Sequence, residues 1–457
     1  MKMASNVRSW VALAMLASLG AVLYTAGTGF AGGIGFRPPA VGGISIDASG
    51  VVSSSTPVMR KELQSQLLKA MQPVPGDLTT PVPMRKVSLR MLEEEVKSAI
   101  ANNNGVLPDS VKYLAGLQRV EYIFVSPENN DIVIAGPAEG WTVDDSGTVV
   151  GVTTGRPVLL LEDLLVALRT VDNARTVGIT CSIDPTEQGR VNYRQFMDQV
   201  KAQGRTMDAS VKAGIEQALG PQQITFTGVD VQSHFAHVLL AADYRMKRIA
   251  MELDPSPVRG LPSYLNMIRS PRADSTPRWW LACNYEPLAQ SEDGLAWQIR
   301  GQGVKAMTED ELIDAQTGEV TQTGRTSALA QKWADLMTTK YEDLSAEDKV
   351  FGKLRNIMDL SVMAALMEKE HLLDKADLQI PTLRSQDSRL QTTQYETPKT
   401  LPTLVSAIKK GRNWIISASG GVEVDSWGVT DKTETDEKIA AVRIEHIATK
   451  PDSWWWN

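Results

Sequence analysis

Histidine and cysteine are nearly missing from this sequence. Four His and two Cys in 457 residues exclude zinc fingers, iron–sulfur clusters and disulfide-stapled scaffolds by counting alone. Positive charge is also in deficit. Lys plus Arg number 47 against 54 Asp plus Glu, a formal charge of −7, whereas a dedicated nucleic-acid binder needs a surplus of the other sign. Beyond the N-terminal region no apolar run reaches ~18 residues, so no later membrane span is expected. A Gly-x-Ser-x-Gly elbow is missing, and four His leave a serine triad little to work with. The remaining composition, 42% hydrophobic and 22% charged, is that of a folded globular chain long enough for two or three domains.

The N-terminus carries an address. Lys2 and Arg8 precede an apolar run from Trp10 to Ala26, and Gly29-Phe30-Ala31 offers a small-x-small cleavage site. At about 1.5 Å per residue the run barely reaches the ~30 Å hydrocarbon core, which suits a signal peptide over 1–31 better than a permanent span. Cleavage after Ala31 takes the charge from −7 to −9, with an uncleaved anchor as the alternative. The expected location is therefore periplasmic, cell-envelope or extracellular. Cys181 and Cys283, both in strand-like runs, are either one disulfide or two separately buried thiols.

Strands mix with helices in no strict βαβ period, which predicts an α+β fold: mixed sheets with packed helices in two or three subdomains. Val120–Val125 and Ile132–Ala135 read as a strand–turn–strand, and Trp141–Val152 as a second hairpin. Leu159–Leu168 and His234–Met251 have helical spacing, while Ser327–Tyr341 and Val350–Leu372 suggest a helical hairpin toward the C-terminal side. The expected segments are 1–31, an N-terminal α+β domain over 32–172, a central α+β domain over 173–310, the hairpin over 311–373, and a polar linker with a small C-terminal segment over 374–457. Within the last, Trp414–Ser417 and Gly421–Val424 read as a small strand pair. The Trp454-Trp455-Trp456 run is expected to dock, in a groove of its own chain or another subunit, or on its own last helix.

Chemistry-bearing patterns are sparse. The stretch from Asp184 to Gln195 starts like a calcium loop, but Thr186, Gln188 and Gln195 stand where carboxylates are needed, and a strand precedes it; a strand–turn–helix connection fits better. His234 and His237 share a helix face, and Asp243 is the nearest third ligand for a metal, which sets up a metal-assisted envelope hydrolase as the alternative function. Between Arg245 and Arg278 seven basic residues outnumber three acidic ones. Arg245, Lys247, Arg248, Arg259 and Arg278, with Tyr264, Trp279 and Trp280, are the candidate ligand-binding set, suited to an anionic surface polymer or a partner's acidic face. No cofactor motif is present.

Several of these stretches together resemble a known family. Ser233-His234-Phe235-Ala236 through Ala242-Asp243-Tyr244-Arg245-Met246-Lys247, then Pro257-Val258-Arg259-Gly260-Leu261-Pro262-Ser263-Tyr264, is similar to a domain of unknown function in exported planctomycete proteins. Ile179–Thr186, Arg278-Trp279-Trp280-Leu281 with Asn284-Tyr285-Glu286, and Leu354–Leu360 resemble the same family, so the likeness runs from roughly Gly43 to Leu372. It implies an envelope location and supplies no catalytic residues. The resulting expectation is an exported, non-catalytic binding or assembly module whose partner is an envelope protein or an anionic surface polymer.

Overall fold

Strands with one or both faces covered build the two main sheets. The computed structural model describes residues 41–457 apart from 206–207, 269–275, 315–316, 318, 408–413, 416–418 and 447–452. The expected export signal and residues 32–40 after it lie outside the described residues. In the strand Ile179–Asp184 the residues Ile179, Cys181 and Ile183 are buried while the intervening side chains are half-buried, the period-two signature of a covered sheet face. That strand belongs to a seven-stranded central sheet with the order Val320–Gln322, Gly303–Ile313, Thr276–Asn284, Gly420–Val424, Ile179–Asp184, Gln222–Thr227 and Thr400–Leu401. All neighbours are antiparallel except Thr276–Asn284 and Gly420–Val424, which run parallel.

Gly420–Val424 does not pair with Trp414–Ile415 as the sequence suggests. It inserts at the centre of the sheet, and Trp414–Ile415 pairs with Ser406–Ala407 instead. The insertion depends on glycine. A Cβ on Gly421 would sit 1.8 Å from the Cys181 carbonyl oxygen and one on Gly420 1.6 Å from that of Trp279, so no other residue lets the strand approach both neighbours.

A second seven-stranded sheet has the order Thr433–Thr435, Leu288–Gln290, Ala296–Gln298, Tyr122–Ser126, Asp131–Ala138, Val82–Ser88 and Trp455–Trp456. The expected strand–turn–strand is here as Tyr122–Ser126 against Asp131–Ala138, with Asn130 left-handed at the turn. The Trp run docks on its own chain, as an edge strand on Val82–Ser88. Strands of this sheet come from 82–138, 288–298 and 433–456, so long-range pairing builds it.

Helices fill the space around the sheets. The Lys349–Lys369 helix is buried around most of its circumference, packing on the Leu161–Val177, Tyr341–Glu347, Ser426–Thr430 and His234–Ala250 helices, while Ala328–Thr339 packs chiefly on the Gly303–Ile313 strand. On the Lys349–Lys369 helix, Asp359 accepts two bonds from the Arg119 guanidinium at 2.9 Å and one from the Tyr285 hydroxyl at 2.8 Å. Trp279 is completely buried, edge-on to Tyr264 and to Trp333 at 4.8 and 5.3 Å between ring centres. The 374–400 stretch, expected to be a polar linker, sets Leu378, Ile380, Leu383, Leu390 and Tyr395 into the core. Its apolar residues are too widely spaced to show a period, yet each fills a site. The fold is α+β with mixed sheets, as the alternation of elements predicts. Among the described residues no helix is long and apolar enough to cross a membrane.

Candidate functional site

The His234–Ala250 helix positions most of the residues singled out in the sequence. Ser233 caps it, its Oγ accepting from the Ala236 N–H at 3.1 Å, and almost every residue that follows is buried. Burial decides the fate of the basic stretch. Arg245 donates to Asp348 and Asp254 at 2.7 Å each, and Arg248 holds Asp254 through two nitrogens at 2.7 and 2.8 Å. Lys247 is buried and donates to Asp243 at 2.8 Å and to the Ile183 carbonyl at 3.2 Å. Local carboxylates therefore neutralise Arg245, Lys247 and Arg248, so these three form no uncompensated cationic patch, while Arg269 and Arg272 of the same stretch lie outside the described residues. Tyr264 and Trp279 are core residues, Trp280 is half-buried with the Arg278 guanidinium 5.6 Å over its ring, and Arg259 is exposed. Only Arg278 of this set lines the groove described below.

The metal set is also dispersed. His234 Nδ1 donates to both oxygens of Asp163 at 2.9 and 3.0 Å, while His237 Nε2 donates to the Glu396 carbonyl at 2.8 Å. Both imidazoles lie against the Tyr395 ring, and burial pushes the His237 imidazole down to about 4. Asp243 stands nine residues beyond His234, about 13 Å along the helix axis, and is committed to Lys247. Among the described residues no group of three or more His, Cys, Asp or Glu is arranged to hold a metal ion. The two cysteines are free thiols. The Gly420–Val424 strand lies between theirs, which sets the two strands about 10 Å apart, beyond the reach of a disulfide.

Where the central sheet ends, a groove of about 680 Å³ opens. Its floor comes from the ends of five strands: Asp184, Gln223, Arg278, Glu311 and Ser419, the last directly before Gly420. One wall is the first two turns of the Glu187–Ala202 helix, with Glu187, Gln188, Arg190 and Tyr193. The strand–turn–helix connection expected from Asp184 to Gln195 is this wall: Thr186 caps the helix by accepting from the Gly189 N–H at 2.9 Å, so the positions of a calcium loop are wound into a helix. Gly189 lets the neighbouring Ala209–Leu219 helix close in, since a Cβ there would lie 2.2 Å from the Leu219 carbonyl oxygen. The opposite wall is Val320 and Gln322 of the sheet's edge strand.

Charges of both signs meet in this groove. Glu311 is nearly buried; it accepts from the Ser419 hydroxyl at 2.6 Å, and its other oxygen is 3.7 Å from Arg278 Nε. Burial raises its carboxyl above the usual range despite the Ser419 bond and the Arg278 charge. Arg278 Nε is itself buried and has no hydrogen-bond partner among the described residues. Beneath the floor lies the Asp243–Lys247 pair, tied to the strand end through the Ile183 carbonyl. Burial pushes the Asp243 carboxyl up to about 6, with Lys247 opposing the rise and the Asp184 charge adding to it, and its Oδ1 has no hydrogen-bond partner.

A model for a protein family of unknown function, DUF1598, matches residues 181–264. That stretch is a DUF1598 domain. No curated protein and no solved structure matches the chain. The DUF1598 domain contributes Asp184, the helical wall, Leu219 and Gln223 to the groove, and the ion pair under its floor. Arg278, Glu311, Gln322 and Ser419 come from outside the domain and complete the other side. Of these only Arg278 stood out in the sequence. Glu311 and Ser419 carry no local signal, because strand pairing alone brings them to Asp184.

Proposed function

We propose that the protein is an exported, non-catalytic binding module and that the groove over the DUF1598 domain holds a segment of an envelope protein partner. The observation that carries this reading is the mixed charge of the groove. Asp184, Glu187 and Glu311 stand with Arg190 and Arg278, beside the amide of Gln188 and the hydroxyl of Tyr193. A polyanion would meet a majority of carboxylates, so of the two partner types considered the anionic polymer is disfavoured. A peptide presents donors, acceptors and charges of both signs, which matches this lining. The export part of the proposal rests on Lys2, Arg8 and the apolar run after them.

The reading is tested in producing cells by photo-crosslinking from position 188, on the groove wall, and from position 58 on the exposed face of the Pro57–Ala70 helix. A defined protein adduct from 188 that is missing from 58 and lost with Arg278→Glu supports the groove. Equal adducts from both positions, or competition by a sulfated polysaccharide, would overturn it. Fractionation of the same cells tests export: recovery of the mature chain with cytoplasmic markers sinks that part.

A further inference from the structure

The last five residues of the sequence are held as a docked ligand would be. Trp455 and Trp456 pair antiparallel with Val87 and Lys86, and the Ser88 N–H donates to the Trp454 carbonyl at 2.7 Å. Trp454 is buried in the main core, and the Trp456 ring packs against the smaller cluster around Phe124 and lies 5.7 Å from Lys86 Nζ. Asn457 is clamped on three sides. Arg85 Nε donates to its side-chain oxygen at 2.7 Å, Lys86 Nζ to its main-chain oxygen at 2.8 Å, and its own amide donates to the Asp77 carbonyl at 3.2 Å. Arg85 is fully buried and spends its other nitrogens on the carbonyls of Leu78, Thr80 and Ala115.

The strand edge and the asparagine clamp come from residues 77–88, more than 300 positions before the segment that fills them, and the cluster under Trp456 adds Ala289, Ala296 and Ile439. Nothing in the recognition depends on both belonging to one chain: strand pairing, an aromatic pocket and an asparagine clamp form a peptide-recognition mode that works in trans as well as in cis. Every copy carries both halves. We propose that the Val82–Ser88 edge is a strand-acceptor site that takes the Ser453–Asn457 segment of a second copy, so that reciprocal exchange gives a two-fold dimer. This stands on a different face from the groove and does not rest on the groove's function.

Disulfide trapping reads the exchange directly. Lys86 and Trp456 are cross-strand partners, so a chain with Lys86→Cys and Trp456→Cys together forms an internal link, which checks that the pairing survives substitution. Chains with Lys86→Cys alone, mixed with chains with Trp456→Cys alone, are expected to give a linked dimer whose yield rises with concentration and falls when free Ser-Trp-Trp-Trp-Asn peptide is added. Mixed single variants that stay monomeric while the double variant links internally would overturn the proposal, and so would a dimer that the peptide does not suppress. Should either variant fail to fold, the unaltered chain serves. Labelled Ser-Trp-Trp-Trp-Asn is expected to bind it saturably, and Lys86→Glu to weaken that uptake about tenfold. No uptake, or uptake indifferent to Lys86→Glu, counts against exchange.

Discussion

Lys247→Met removes one half of the buried pair beneath the groove. Among the described residues Lys247 is the one hydrogen-bond partner of the Asp243 carboxyl, whose second oxygen has none. Asp243 is completely buried, and burial, the largest cause, pushes its carboxyl up to about 6 even with Lys247 beside it. Taking away the ammonium leaves an uncompensated carboxylate in the interior, a change that costs about 3–5 kcal/mol. The pH dependence has a fixed sign. A carboxyl with its folded pKa above the unfolded value binds more protons in the native state, so stability falls as pH rises from about 4 through about 6. Without Lys247 the carboxyl titrates higher still, so the deficit is largest above neutrality and shrinks toward pH 5. Urea unfolding followed by tryptophan fluorescence at pH 8 and pH 5 measures both. The double variant Asp243→Leu with Lys247→Met leaves no buried charge and is expected to recover most of the loss, to within about 1–2 kcal/mol of the original. A single variant that loses less than about 1 kcal/mol at pH 8, or a double variant less stable than the single, would refute the reasoning.

Three further perturbations have defined outcomes. Gly421→Ala drives a methyl group into the Cys181 carbonyl at 1.8 Å and should cost more than about 4 kcal/mol, seen as loss of soluble protein or a large fall in Tm; a Tm within a few degrees of the original contradicts the central placement of that strand. His237 stays neutral in the fold because burial holds its imidazole near 4, so its stabilisation is complete above about pH 6.5 and is lost as pH falls toward 4; His237→Gln keeps a donor for the Glu396 carbonyl and should flatten that part of the stability profile. Asp359→Asn leaves the Arg119 guanidinium facing a neutral amide and is expected to destabilise by about 3 kcal/mol in chemical denaturation, whereas Glu94→Gln, which loses only an exposed pair with Arg90, should change stability by less than about 0.5 kcal/mol.

Local pattern carried the elements with strong periodicity and failed where the fold is made by distance. The 122–138 hairpin, the His234–Ala250 helix and the turn after Asp184 were legible because their residues touch near neighbours in sequence. The central position of Gly420–Val424 was not: two glycines ahead of Val-Glu-Val read as a weak local strand, and only contact with Cys181 and Trp279 shows why they are glycine. The basic run misled for a related reason. Counting charges from Arg245 to Arg278 took in Asp254 but left out Asp243 and Asp348, and a count does not show that these three carboxylates pair with Arg245, Lys247 and Arg248 once the chain is folded. Arg278 was legible as an isolated cation beside tryptophans, but its partners Glu311 and Ser419 are assembled by strand order, which no spacing rule reveals.

The central claim is that the groove beside the DUF1598 domain recognises a peptide segment through charges of both signs. Its most direct measurement is calorimetric titration of the segment captured from position 188 into the unaltered chain and into Arg278→Glu. The reversal puts a fourth carboxylate into the groove beside Glu311 and, measured where both proteins are folded, is expected to weaken binding at least tenfold, about 1.4 kcal/mol or more. Equal affinity in the two proteins would contradict the account.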